Sequence, residues 1–190
     1  MTAISEELLR RFETKESWLV HKSELHGVAH MTRVFLLQEI ICEQLEQDGI
    51  AINREAVRFA AMAHDVGRLN DNSDPYHGER SAEWMKTHLA DKISPETMDL
   101  ATYAVHWHVP SDYAAPVMTP EITALKDADS LDRVRLGDLD PSYLRTDIAK
   151  GLVATAQALF EASLPASLED EQTFETVAHG AIKLGIVTAD

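Results

Sequence analysis

Cysteine occurs once in this chain, at Cys42, so no intrachain disulfide can form and no cysteine cluster can hold a structural zinc. Basic residues are scarce as well: 17 Lys and Arg stand against 32 Asp and Glu, a formal net charge of -15. So acidic a chain offers neither a nonspecific duplex-DNA surface nor an anchor for anionic membranes. The global charge leaves a local cationic pocket open. No window is apolar over the roughly 20 residues that a membrane span needs. The opening MTAISEELLRRFE also lacks the apolar core of a signal peptide. A cytoplasmic chain is expected, with Cys42 a core residue on a helix and homo-oligomerisation left open. Strand-like alternation, internal repeats and low-complexity runs are missing too.

What is present is a helical pattern on a chain long enough for one globular domain. The 190 residues are 45% hydrophobic, enough for a sizeable core. Val34, Leu37, Ile41 and Leu45 recur at intervals of three and four, predicting an amphipathic helix over about 26–47 that ends before Asp48-Gly49. Asn53 is positioned to cap a helix over about 54–65, with Gly67 as a left-handed stop. Ser94 and Pro95 open another, running to about His106. Further helices are expected at 78–89, 120–136, 142–162 and 168–185. Two stretches have loop character, RLNDNSDPYH (68–77) and WHVPSDYAAPVMTP (107–120), and each adjoins a histidine.

The histidines and acids are placed unevenly. His26, His30 and Arg33 are spaced four and three apart, hence on one helical face. His64 and Asp65 are adjacent where the apolar run of FAAMAHDVGRLND ends, pointing about 100° apart on an ideal helix. Both reach one ion only if it sits near the helix end; the alternative is a buried hydrogen-bonded pair. In LKDADSLDRVR, Asp129 lies three residues from Lys126 and four from Arg133. A carboxylate flanked by cations suits a metal that also carries phosphate.

The ordered set His30, His64-Asp65 and Asp129, within HMTRV, AMAHDVG and DADSLDRVR, resembles the HD-domain superfamily of metal-dependent phosphohydrolases. The resemblance spans about 26–136. It implies an all-α helical bundle in which His30, His64, Asp65 and Asp129 bind a divalent metal. A binuclear subset of the superfamily carries two more histidines. HGERSAEW, with Ser81 where glycine is usual, and TYAVHWH resemble its segments, which nominates His77 and His106 as ligands of a second ion bridged by Asp65. The cyclic-dinucleotide branch is set aside, because its GYP signature is absent.

Imidazole and carboxylate donors suit iron, manganese, cobalt, nickel or zinc, as one ion or two. Such an ion activates water and polarises a phosphoryl oxygen, so no serine or cysteine nucleophile is required. Arg68, Arg33, Lys126 and Arg133 are the expected phosphate-facing cations, Arg68 foremost among them. His26 is read either as a phosphate contact or acid, or as a neighbour that orients His30. Trp107, Tyr113 and Tyr76 beside the expected mouth either stack on a nucleobase or pack the proline-rich loop.

The resulting expectation is a single HD domain over 1–190, with its C-terminal helices, about 142–188, packed on the motif-bearing core. It is expected to hydrolyse a small phosphorylated metabolite, a nucleotide first among the candidates. Two rivals stand beside it: a mixed-valent di-iron oxygenase with an equivalent donor set, and a binding module that holds a nucleotide or metal without turnover.

Overall fold

The computed structural model describes residues 4–167 and 170–189. Among these residues the architecture is all-α, as the sequence pattern predicts. In chain order the helices are α1 (Glu6–Arg11), α2 (Val28–Gln47), α3 (Arg54–Ala63), α4 (His77–His88), α5 (Pro95–Trp107), α6 (Pro120–Leu131), α7 (Asp147–Gly151), α8 (Val153–Ala162) and α9 (Phe174–Lys183). A parallel pair of two-residue strands, β1 (Ile4–Ser5) and β2 (Val187–Thr188), ties the two ends together. No described helix is long and apolar enough to cross a membrane.

α2 is the axis of the bundle. It packs against α3, α6 and α9, and every residue from Ala29 to Cys42 is buried. The expected amphipathic helix is therefore a central helix, and its polar residues point into the protein. Burying them requires partners. Glu39 receives Arg54 at 2.6 Å and Arg58 at 2.9 Å, which locks α2 to α3, while Gln38 donates to the Val57 carbonyl at 2.6 Å. At one end of this seam Phe12 stacks on Phe35 and meets Phe59 edge-on, with centroids 5.7 and 5.1 Å apart. Burial pushes the Cys42 thiol up, so the lone cysteine is an inert core residue.

Capping sets where the helices begin. Asn53 accepts the Ala56 N–H at 2.9 Å, Ser94 accepts that of Thr97 at 3.2 Å, and Thr119 accepts that of Ile122 at 3.3 Å ahead of Pro120. Gly67, expected as a left-handed stop, is not one, since the described glycines with positive φ are Gly49, Gly137 and Gly185. Its lack of a side chain serves close approach instead. A Cβ there would lie 2.7 Å from the Ser81 nitrogen and 2.8 Å from the Arg80 Cβ. Ser81, the departure from the usual glycine, accepts the Gly67 N–H at 2.9 Å, fixing the turn after His64-Asp65 to α4. Gly78 plays the same part between α4 and α5: a Cβ would meet the Val105 carbonyl oxygen at 2.6 Å.

Several expected helices are broken. Residues 120–136 form α6 followed by a 3-10 turn over Asp132–Leu136, and Gly137 closes it at φ 70°. Residues 142–162 divide into a 3-10 turn at Pro141–Tyr143, α7 and α8, with the break at Leu152. α9 begins at Phe174, behind a capping box on Thr173 and Thr176. Residues 168 and 169, where a helix start is expected, lie outside the described residues.

Candidate metal centre

Five elements converge on one cluster. The first turn of α2 supplies His30, the C-cap of α3 supplies His64, and the following turn supplies Asp65. His77 is the first residue of α4, His108 caps α5, and Asp129 lies in the last turn of α6. Helix ends and turns thus hold the donors, His30 in the first turn of α2 among them.

Each ring is oriented from behind. The Nδ1–H of His64 donates to the Ala61 carbonyl at 2.9 Å, that of His77 to Asp74 at 2.6 Å, and that of His108 to Val105 at 2.6 Å. His30 donates Nδ1–H to the Asp132 carboxylate at 2.7 Å. Since a carbonyl cannot donate, each Nδ1 facing one must carry the proton. With the rings neutral, each would then turn an Nε2 lone pair inward, the state a metal ligand needs.

The inward atoms form two groups that share Asp65. In one, His30 Nε2 lies 3.2 Å from His64 Nε2, 3.4 Å from Asp129 Oδ1 and 3.7 Å from Asp65 Oδ2. In the other, His77 Nε2 lies 3.0 Å from His108 Nε2 and 2.9 Å from Asp65 Oδ1, which is 3.8 Å from His108 Nε2. Ligand atoms around a first-row ion, at bonds of about 2.0–2.2 Å, stand about 3–3.5 Å apart in tetrahedral geometry. Nε2 lone pairs facing each other at 3.2 and 3.0 Å repel unless a cation lies between them. Asp65, its side chain 2% exposed, keeps Oδ1 without a hydrogen bond although it is buried, an arrangement costly without a cation. The donor set therefore fits divalent metal. Three groups of ligand atoms, drawn from His26, His30, His64, Asp65, His108 and Asp129, are close enough to hold an ion.

Electrostatics agree with that chemistry. Burial pushes His64 down to about 3, so it is neutral near pH 7. Burial alone would raise Asp65, but His64, His108, His26 and His77 override it and hold the carboxyl well below its usual range. Asp129 is likewise raised by burial and lowered further by His30. Its side chain is 36% exposed, so the cluster opens to solvent there.

The structure does not bring His106 to the cluster. His106 and His108 are about 200° apart on a helix, and the ring of His106 rests edge-on against Trp107. His108 takes the inner position. The signal was in the sequence: the buried stripe of α5 runs through Ala101, Ala104 and Val105, and its next position is 108.

The expected phosphate-facing cations are distributed differently. Arg33 is buried, reaches Asp132 Oδ1 at 2.6 Å and Gln172 at 2.9 Å, and lies over the Phe160 ring. Lys126 donates to the Pro110 carbonyl at 2.6 Å and to Asp112 at 2.7 Å, and Arg133 pairs with Asp138 on the surface. Arg68 does reach the centre, through Asp65 Oδ2 at 2.9 Å, with a second bond to the Asn72 carbonyl. His26 precedes α2 and so does not share its face with His30, yet its Nδ1 stands 3.2 Å from Asp65 Oδ2. Sequence reasoning missed Asp132, which gathers His30, Arg33 and Arg135, the last at 3.0 Å.

The HD domain family model matches residues 27–134, more than half the chain, and that stretch holds His30, His64, Asp65, His77, His108 and Asp129. The chain belongs to the HD domain family. HD domains bind divalent metals, and most are metal-dependent phosphohydrolases acting on small phosphorylated substrates. No curated protein and no solved structure matches this HD domain.

Proposed function

We propose that this HD domain hydrolyses a phosphate ester or anhydride of a small metabolite, with a nucleotide as the first candidate, using two divalent ions. The observation that carries the reading is the pair of donor groups sharing Asp65. His30, His64, Asp129 and Asp65 Oδ2 would hold one ion; His77, His108 and Asp65 Oδ1 would hold the other. When bound, such ions lower the pKa of a coordinated water and withdraw charge from a phosphoryl oxygen. The chain's own part is orientation. Arg68 and His26 converge on Asp65 Oδ2 and keep the shared carboxylate aimed, while Asp132 and the three backbone carbonyls fix the rings.

A cavity of about 710 Å³ adjoins His108, with Lys126, Arg145, Tyr113 and Tyr143 in its wall. That volume suits a metabolite of nucleotide size, and both tyrosines are exposed for stacking. The C-terminal helices belong to the same unit in this reading: α9 packs on α2, and Gln172 bonds Arg33 directly behind the donors.

Protein purified without added metal is expected to contain about two equivalents of transition metal and to release inorganic phosphate from members of a nucleotide and sugar-phosphate panel, equally with and without oxygen. Oxygen uptake coupled to substrate loss, with no phosphate released, would establish the di-iron oxygenase, which four histidines and two aspartates also suit. Turnover of nothing on the panel by the fully metallated chain would leave the binding module.

Substitution separates the two histidines at the end of α5. His108→Ala is expected to lower bound metal by one equivalent, whereas His106→Ala leaves metal content unchanged. The reverse result would mean that α5 is rotated from its described position.

A further inference from the structure

Beside the donor cluster, two cations share one carboxylate. Lys126 is held in the wall with its side chain 3% exposed, and its Nζ stands 2.7 Å from Asp112 Oδ1. Arg145 meets the same carboxylate: its Nη2 is 2.9 Å from Oδ1 and its Nε is 3.0 Å from Oδ2. Asp112 belongs to the loop between α5 and α6, at the start of a single 3-10 turn, and its side chain is 38% exposed. The cations are fixed and the anion is peripheral.

The remaining charges of this wall are already engaged. Asp127 is fully buried and accepts from the backbone N–H groups of Arg145 and Thr146 and from the Thr146 hydroxyl, at 2.8 to 2.9 Å. Arg133 pairs with Asp138, and Asp140 caps the turn at Ser142. If Asp112 swings outward, Lys126 and Arg145 are left facing the cavity as a cation pair with Asp127 behind them. Burial lowers Lys126 and Asp112 works against that, so a departing Asp112 calls for another anion in its place. His108 lines this cavity together with Lys126 and Arg145, so the cation pair and one of the donors share a wall.

We propose that Lys126 and Arg145 form a subsite for a second anionic group of the substrate, and that Asp112 occupies this subsite until the substrate displaces it. The inference rests on the phosphohydrolase reading for the first anionic group, the phosphoryl at the donors. It narrows the substrate class to compounds with two anionic groups, such as a diphosphate, over simple monoesters. Arg145 lies beyond the 27–134 stretch, so the subsite depends on the segment that follows α6. The planar guanidinium fork and the compact ammonium suit a phosphate or carboxylate that offers several oxygens.

The test compares pyrophosphate, which can reach both places, with orthophosphate, which can fill one, by calorimetry on the full chain with divalent metal in excess over the anion. Asp112→Asn is expected to tighten pyrophosphate at least fivefold and to leave orthophosphate within twofold. Adding Lys126→Gln to that variant should return pyrophosphate to the wild-type value or weaker. Unchanged or weaker pyrophosphate binding by a folded Asp112→Asn protein would overturn the proposal and make the latch a loop anchor only. Should Asp112→Asn fail to fold, Lys126→Gln alone decides: a tenfold loss for pyrophosphate with orthophosphate unchanged supports the subsite, and equal losses refute it. The two readings fail separately. Tightened pyrophosphate without hydrolysis of any phosphate ester keeps the subsite and removes the reaction, whereas hydrolysis without tightening does the opposite.

Discussion

Asp65→Ala is expected to bring turnover to background and to strip bound metal while the protein stays helical. Asp65 gives one carboxylate oxygen to each donor group. One of its oxygens faces His30 and His64 at 3.7 and 3.9 Å, and the other faces His77 and His108 at 2.9 and 3.8 Å. Removing the carboxylate leaves four Nε2 atoms converging with a single acid, Asp129. A loss of at least a thousandfold in kcat/KM follows, about 4 kcal/mol of transition-state stabilisation. The fold is less exposed to the change, because Asp65 sits in the turn after α3 and its backbone bond, Asp65 O to the Arg68 N–H at 3.1 Å, does not use the side chain. Metal analysis, circular dichroism and phosphate release on one preparation decide the matter. Full metal content with wild-type turnover in a folded Asp65→Ala protein would remove Asp65 from the centre and with it the two-ion reading.

The bundle and the nucleus of the centre were legible because local rules govern both. Caps at Asn53 and Ser94 are written in three or four residues, and the order of His30, His64-Asp65 and Asp129 carries the family resemblance by itself. The parts that were not legible depend on partners distant in sequence. β1 is two residues long and pairs with β2 more than 180 positions away, beyond any local periodicity. α1 has six residues and buries only Leu9, too little for a stripe. The cations show the same limit. Spacing placed Arg33 beside His30, Lys126 and Arg133 beside Asp129, but nothing local reveals that Asp132, Asp112 and Asp138 claim them. For His106 and His108 the difficulty is rotational. Two histidines two positions apart face opposite ways on a helix, and the buried stripe of α5 selects between them.

Asp132 carries the second large expected effect. It is fully buried and lies at the end of a chain of contacts that starts outside the donors: Gln172 meets Arg33 at 2.9 Å, Arg33 meets Asp132 at 2.6 Å, and Asp132 meets His30 Nδ1 at 2.7 Å. Burial would raise its carboxyl, and Arg33 first, with His30 and Arg135, overrides this and holds it below the usual range. Asp132→Ala therefore leaves two largely buried guanidinium groups without their shared anion, a loss of about 3–5 kcal/mol in stability. It also releases the His30 ring from its orienting anion, for which a metal-affinity loss of about 10–100-fold is expected. A structural role alone would give the first effect without the second, so a double substitution separates them. Arg33→Met added to Asp132→Asn removes one of the two cations that share Asp132, leaving Arg135, and is expected to restore part of the stability, since the two sites are directly coupled. Metal affinity, measured well below the melting temperature, should stay low in that protein because His30 still lacks its anion. Recovery of metal binding in parallel with stability would show that Asp132 serves only to neutralise Arg33, leaving the orientation of His30 to packing within α2.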